Sequence, residues 1–136
     1  MLTVDEYFSQ HAADAAPGEL TDQFRQNAED LLPRVIGLLN ELGVTDPQQR
    51  SGWRPAATNA ATANAASHSK HMTGNAIDVS DNDNSLDDQV SGYDTDNGGN
   101  SLLEKYGLYR EAPQSTDTWI HLQNEPPGSH KRTFFP

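Results

Sequence analysis

Cysteine is absent from all 136 residues. That excludes disulfide scaffolds, thiol nucleophiles and cysteine zinc fingers, so any zinc site has to be built from histidine and carboxylates. Basic side chains are scarce, with 9 Lys+Arg against 20 Asp+Glu and a net charge of -11. Charge of that sign repels phosphate backbones and anionic lipid surfaces, so nucleic acid and membranes are not expected partners. Long apolar runs are missing as well: stretches such as Val35 to Leu39 fall far short of the ~20 residues that span a bilayer. The start, Met1 to Glu6, carries acids and no apolar h-region, which argues against a secretory signal peptide. A chain of this length suits one domain that buries roughly two thirds of its unfolded surface.

What is present reads as helices first and strands later. Thr3 and Glu6 have capping-box spacing, which predicts a short helix from Thr3 to Ala13; residues 1–20 would then form an N-terminal helical arm. After Pro17-Gly18, Thr21 caps a segment whose Phe24, Ala28, Leu31, Leu32, Val35, Leu38, Leu39 and Leu42 share one helical face, and Gly43 ends it. Pro33 lies inside that segment and predicts a kink or a restart, because it has no N–H to bond back one turn. Ser51-Gly52-Trp53-Arg54 reads as a strand end leading into a short alanine-rich helix over 56–66. Asn75 to Ser80 reads as a strand with Ala76, Asp78 and Ser80 on one face and Ile77 and Val79 on the other.

From Asp81 to Asn100 the chain is rich in Asp, Asn, Ser and Gly, which predicts a long solvated loop with one helical turn near Leu86. Asp81, Asp83, Ser85 and Asp87 alternate like the start of an EF-hand, but Leu86 and Gly92 stand where that loop needs Gly and Glu. Leu102 to Tyr106 predicts a short helix, Leu108 to Glu111 and Trp119 to Gln123 predict strands, and Phe134-Phe135 is expected to dock on the core. Trp53 and Trp119 are expected as core aromatics. The sum is an α+β domain over 1–136, with helices packed on a small antiparallel sheet.

The chemistry concentrates in three pieces: Arg54 after Ser-Gly-Trp, the run Ser67 to Asp78, and Trp119-Ile120-His121. His71 precedes a glycine turn and Asp78 lies on the strand that follows, so the return could bring an imidazole beside a carboxylate. A second histidine from a neighbouring strand would complete three ligands. Two His and one Asp with a fourth position open describe a catalytic zinc site, since structural zinc usually has four protein ligands. His11, His68 and His130 stand apart from this pattern and receive no role.

Ser-x-His-x-x-Gly-x-Ala-x-Asp, here Ser69 to Asp78, with Ser-Gly-Trp-Arg upstream and Trp-x-His downstream, resembles the zinc D-Ala-D-Ala peptidases. That group includes vancomycin-resistance dipeptidases, D,D-carboxypeptidases and the L-alanyl-D-glutamate endolysins of phages. The resemblance spans Ser51 to Gln123, is similar to small phage-encoded members, and implies the hedgehog/DD-peptidase fold. It further implies one Zn2+ on His71, Asp78 and His121 in an open cleft, Arg54 as the group that binds substrate or steadies the oxyanion, and Ser69 as a hydrogen-bond donor to substrate. The implied activity is hydrolysis of an amide bond in peptidoglycan stem peptides.

The family places its general base, a Glu or Asp, three residues before the last histidine, and here that position is Thr118. Asp117 is the nearest acid in sequence, yet in a regular strand it lies about 13 Å from His121 along the chain, a distance that only a bulge or tight bend would shorten. Glu111 and Glu125 are the alternatives from adjoining segments. A rival reading is a phage tail or capsid protein that keeps the fold and the metal without the base. The resemblance accordingly implies a protein acting in the host cytoplasm before lysis or within the virion, among other virion proteins.

Overall fold

The computed structural model describes residues 1–136. Five short strands form one sheet: β1 (Gln49–Ser51), β2 (Ala76–Ser80), β3 (Tyr109–Glu111), β4 (Trp119–Gln123) and β5 (Thr133–Phe134), in the order β1-β2-β4-β3-β5. All neighbours run antiparallel except β3 and β5, which are parallel. Five α-helices complete the chain: α1 (Val4–Ser9), α2 (Asp22–Glu41), α3 (Ala56–Ala61), α4 (Ser85–Tyr93) and α5 (Asn100–Lys105). The architecture is α+β, as the sequence pattern predicts.

The alternation of β2 and β4 decides which face meets the helices. Ile77, Val79, Ile120 and Leu122 point into the core with Leu31, Leu38 and Leu39 of α2, and all are essentially without solvent exposure. The opposite set, Asp78 on β2 with His121 and Gln123 on β4, faces the other way. Thr21 caps α2 by accepting the Phe24 N–H at 3.2 Å. The helix then runs 20 residues through Pro33 without the predicted restart. Proline removes a single i→i−4 bond there, and the buried face of Ala28, Leu31, Leu32 and Val35 on either side of it holds the helix together.

Residues 1–20, expected as an arm, contribute Leu2, Tyr7 and Phe8 to the same core as α2. Tyr7 Oη donates to the Ala76 carbonyl at 2.7 Å, and the Tyr7 carbonyl accepts the Trp53 N–H at 3.1 Å. Thr3 caps α1 by accepting the Glu6 N–H. The helix is nevertheless shorter than predicted, ending at Ser9 before a 3-10 turn over Ala12–Asp14. The alanine-rich α3 likewise stops at Ala61.

The largest departure is the acidic stretch 81–100, predicted as a solvated loop. It folds into α4, nine residues long, and the start of α5. Both oxygens of Asp81 are engaged in starting α4: Oδ1 accepts the Leu86 N–H at 2.9 Å and Oδ2 the Asp87 N–H at 3.0 Å. Leu86 and Val90, four residues apart, then enter the core. Beneath them Arg110 of β3, 2% exposed, donates to Asp87 Oδ1 at 3.2 Å, Ser91 Oγ at 3.1 Å and the Gly98 carbonyl at 3.2 Å. One buried guanidinium thus ties the excursion to the sheet.

Two aromatic expectations are also corrected. Phe134 is buried, but against His121 on the face of the sheet opposite the helices and outside the hydrophobic core, and Phe135, beyond the end of β5, is 71% exposed. Trp53 is a core residue, whereas Trp119 is half-buried under the Arg50 guanidinium, 4.6 Å from the ring centroid.

Candidate metal centre

The return that joins His71 to Asp78 depends on Gly74, and the backbone that faces His71 on Gly52. Lys70–Thr73 forms a 3-10 turn that ends at Gly74 in the left-handed region, φ +82°. A side chain there would also meet the Phe24 carbonyl of α2, since a Cβ would lie 2.3 Å from that oxygen. Gly52 has no such φ, but a Cβ would lie 2.5 Å from the Tyr7 carbonyl. Its own carbonyl faces the site. The sequence therefore spends its glycines where backbone must pass close to backbone.

Register brings the remaining groups together. Ser51 pairs with Asp78, Asp78 with His121, and Glu111 with Phe134. Between β3 and β4 the pairs are Tyr109 with Gln123 and Arg110 with Leu122, and the next step along that register sets Glu111 beside His121. A single row crosses the five strands: Ser51, Asp78, His121, Glu111, Phe134.

At its centre His71 Nε2 lies 3.2 Å and His121 Nδ1 2.8 Å from the same oxygen, Asp78 Oδ1. The ligand atoms of the three residues all lie within 4.8 Å of one another. The far nitrogen of each ring is already committed. His71 Nδ1 lies 2.8 Å from the Gly52 carbonyl, which can only accept, so Nδ1 carries the hydrogen. His121 Nε2 lies 3.0 Å from Gln123 Oε1. Gln123 Nε2 donates to the Glu125 carbonyl at 2.7 Å, which fixes the amide orientation and makes Oε1 the acceptor for His121. In the neutral rings both remaining lone pairs point at a carboxylate oxygen, a convergence that is satisfied by a proton on one of the rings or by a metal cation among the three. The residues present fit a metal ion.

The electrostatics follow from burial and that convergence. The side chains of His71, Asp78 and His121 are 2%, 6% and 8% exposed, so the three are enclosed and do not line the open cleft expected from the sequence. The cause is cover from both sides, with the Gly52 strand over His71 and the Phe134 ring edge-on to His121 at 6.3 Å. Burial opposes the charge on Asp78, but the two histidines outweigh it and hold the carboxyl well below the usual carboxylate range. Burial pushes His71 down. Burial acts the same way on His121, yet its hydrogen bond to Asp78 together with the negative charges of Asp78 and Glu111 outweighs burial and raises it.

Arg54 follows β1 and reaches the other carboxylate oxygen, with Nη2 3.0 Å from Asp78 Oδ2 and Nε 3.0 Å from Ser51 Oγ. Its Nη1 has no partner in the protein and is free to meet a ligand. Ser69, expected to donate to substrate, accepts the His71 N–H at 3.3 Å and so caps the turn that carries that ligand. It also borders a neighbouring cavity of about 410 Å³, together with Phe24, Asn27, Lys70 and Glu125, which contains none of the three metal-capable side chains.

The three acids considered for the base separate clearly. Asp117 is exposed in the turn before β4. Glu125 is taken by Lys70, whose Nζ lies 2.9 Å from Oε2. Glu111 is half-buried in the row beside His121, and burial raises its carboxyl. Thr118 is engaged elsewhere, with Oγ1 hydrogen-bonded to Arg50 and its carbonyl accepting the Asp81 N–H at 2.9 Å. His11, His68 and His130 lie outside the cluster. Gln123 is the member of the site that sequence reasoning missed, although strand alternation places it on the face of His121. Compared with family models, curated proteins and solved structures, the chain gives no match.

Proposed function

We propose that the protein is a zinc-dependent peptidase that hydrolyses an amide bond in peptidoglycan stem peptides. The observation that carries this reading is the locked pair of imidazoles: Gly52 and Gln123 hold the far nitrogens, so both lone pairs converge on Asp78 with Arg54 at its second oxygen. Two His and one Asp leave a fourth position for chemistry, and neutral imidazole with carboxylate suits Zn2+ among divalent ions. A zinc ion bound there would act as a Lewis acid on the scissile carbonyl and bring the pKa of water toward ~7.

The chain's own residues supply the rest. His71, Asp78 and His121 would hold the ion, and Ser69 and Gly52 fix the direction from which His71 approaches it. The free Nη1 of Arg54 would donate to the oxygen of the scissile amide as negative charge develops there, a contribution of about 3–4 kcal/mol for a well-placed donor. Stem peptide as the substrate class rests on the resemblance of Ser69–Asp78, Arg54 and His121 to the zinc D-Ala-D-Ala peptidases.

Mass spectrometry of purified peptidoglycan incubated with the zinc-loaded protein tests the reading. New muropeptides that appear with the unaltered chain and are absent with His121→Ala are expected, and their masses name the bond. Thr118 at the position of the family's base favours the second reading, a phage virion component that keeps the fold and the metal. Intact muropeptides across several wall chemistries, with zinc bound, would favour that role instead.

A further inference from the structure

Of the four acids on or near the site, only one is both partly buried and without a partner. Asp78 is shared by His71, His121 and Arg54, Glu125 is paired with Lys70, and Asp117 faces solvent. Glu111 sits on β3 next to His121, half-buried, and no hydrogen bond or ion pair engages its carboxylate. The register carries it to the face of Asp78 and His121, since its partner on β5, Phe134, lies with its ring edge-on to His121. A carboxylate kept partly out of water without a partner is costly unless something else needs it there.

We propose that Glu111 is the catalytic general base, replacing the carboxylate that the family resemblance seeks at Thr118. The inference rests on the peptidase reading above. In the step assigned to it, a Glu111 carboxylate oxygen takes a proton from the attacking water as the new C–O bond forms at the amide carbon. The same proton then passes to the amide nitrogen as the C–N bond breaks, releasing the amine and returning Glu111 to its anionic form. Two features make this placement workable. β3 and β4 are paired, so Glu111 is carried on the same rigid sheet as His121. And β5 backs β3 on its other side, with the Phe134 carbonyl accepting the Ala112 N–H at 2.7 Å, so the strand end cannot swing away.

The test compares the unaltered protein, Glu111→Gln and Asp117→Asn in muropeptide release and in zinc affinity measured against a chromophoric chelator. Thermal unfolding of each variant shows that it is folded, and Glu111→Ala assayed with added formate provides a second route. The expected result is a 10²–10⁴-fold loss of cleavage in Glu111→Gln, with zinc stoichiometry unchanged, affinity within about threefold, and partial recovery of Glu111→Ala by formate. Cleavage by Glu111→Gln at the unaltered rate would overturn the assignment while leaving the peptidase reading standing. So would the loss falling on Asp117→Asn instead, or a hundredfold drop in zinc affinity in Glu111→Gln, which would make Glu111 a ligand. An unaltered protein that binds zinc and cleaves nothing would overturn both together.

Discussion

Asp78 is the residue on which the centre turns, because one of its oxygens faces two imidazoles and the other faces Arg54. Gln123 acts through His121 by holding its Nε2–H, and it is itself held by the Glu125 carbonyl. Gln123→Leu keeps the bulk of the side chain but removes that acceptor, so His121 loses its fixed tautomer and orientation. Zinc affinity is expected to fall by about ten- to a hundredfold, measured by chelator competition, while unfolding of the metal-free protein changes far less. His71 and Asp78 were legible in the sequence from the glycine turn between them, and His121 and Arg54 through the resemblance of Trp-x-His and Ser-Gly-Trp-Arg to the motifs of the zinc D-Ala-D-Ala peptidases. Gln123 and the standing of Glu111 over Asp117 were not, since both depend on cross-strand register, which joins residues that the linear order keeps apart.

At the scale of elements, α2 was legible from Thr21, Gly43 and the apolar face between them. The helix α4 was not. Its Asp, Asn, Ser and Gly composition describes a loop by local preference, and what overrides that preference is tertiary: Leu86 and Val90 find the core while Asp81 satisfies two N–H groups at the helix start. Asp81→Ala leaves those donors without their carboxylate, and the expected cost is about 1–2 kcal/mol of stability, read as a lower urea midpoint. The same interactions account for the EF-hand-like letters, since Asp81 is used to start a helix and Asp83 accepts the Ser85 N–H at 3.1 Å. An unchanged midpoint in Asp81→Ala would mean that burial of Leu86 and Val90 alone holds α4.

At the scale of the whole molecule, the α+β class was readable because apolar periodicity changes from helical to alternating along the chain. The strand order was not, because β1-β2-β4-β3-β5 places β4 between strands that precede it and sends β5 back parallel to β3. That order has a functional consequence: it sets β2 and β4 side by side at the centre of the sheet, and the 3-10 turn before β2 delivers His71 above them. The glycines at 52 and 74 allow the close passages that make this possible. Three elements distant in sequence therefore converge on one point, where two imidazoles and a carboxylate could hold an ion. Native mass spectrometry after loading with zinc and removing the excess tests that capacity most directly. One Zn2+ per chain in the unaltered protein, lost in His71→Ala, Asp78→Asn and His121→Ala, is the predicted result; an unaltered chain that emerges without zinc, or variants that keep it, would contradict the account.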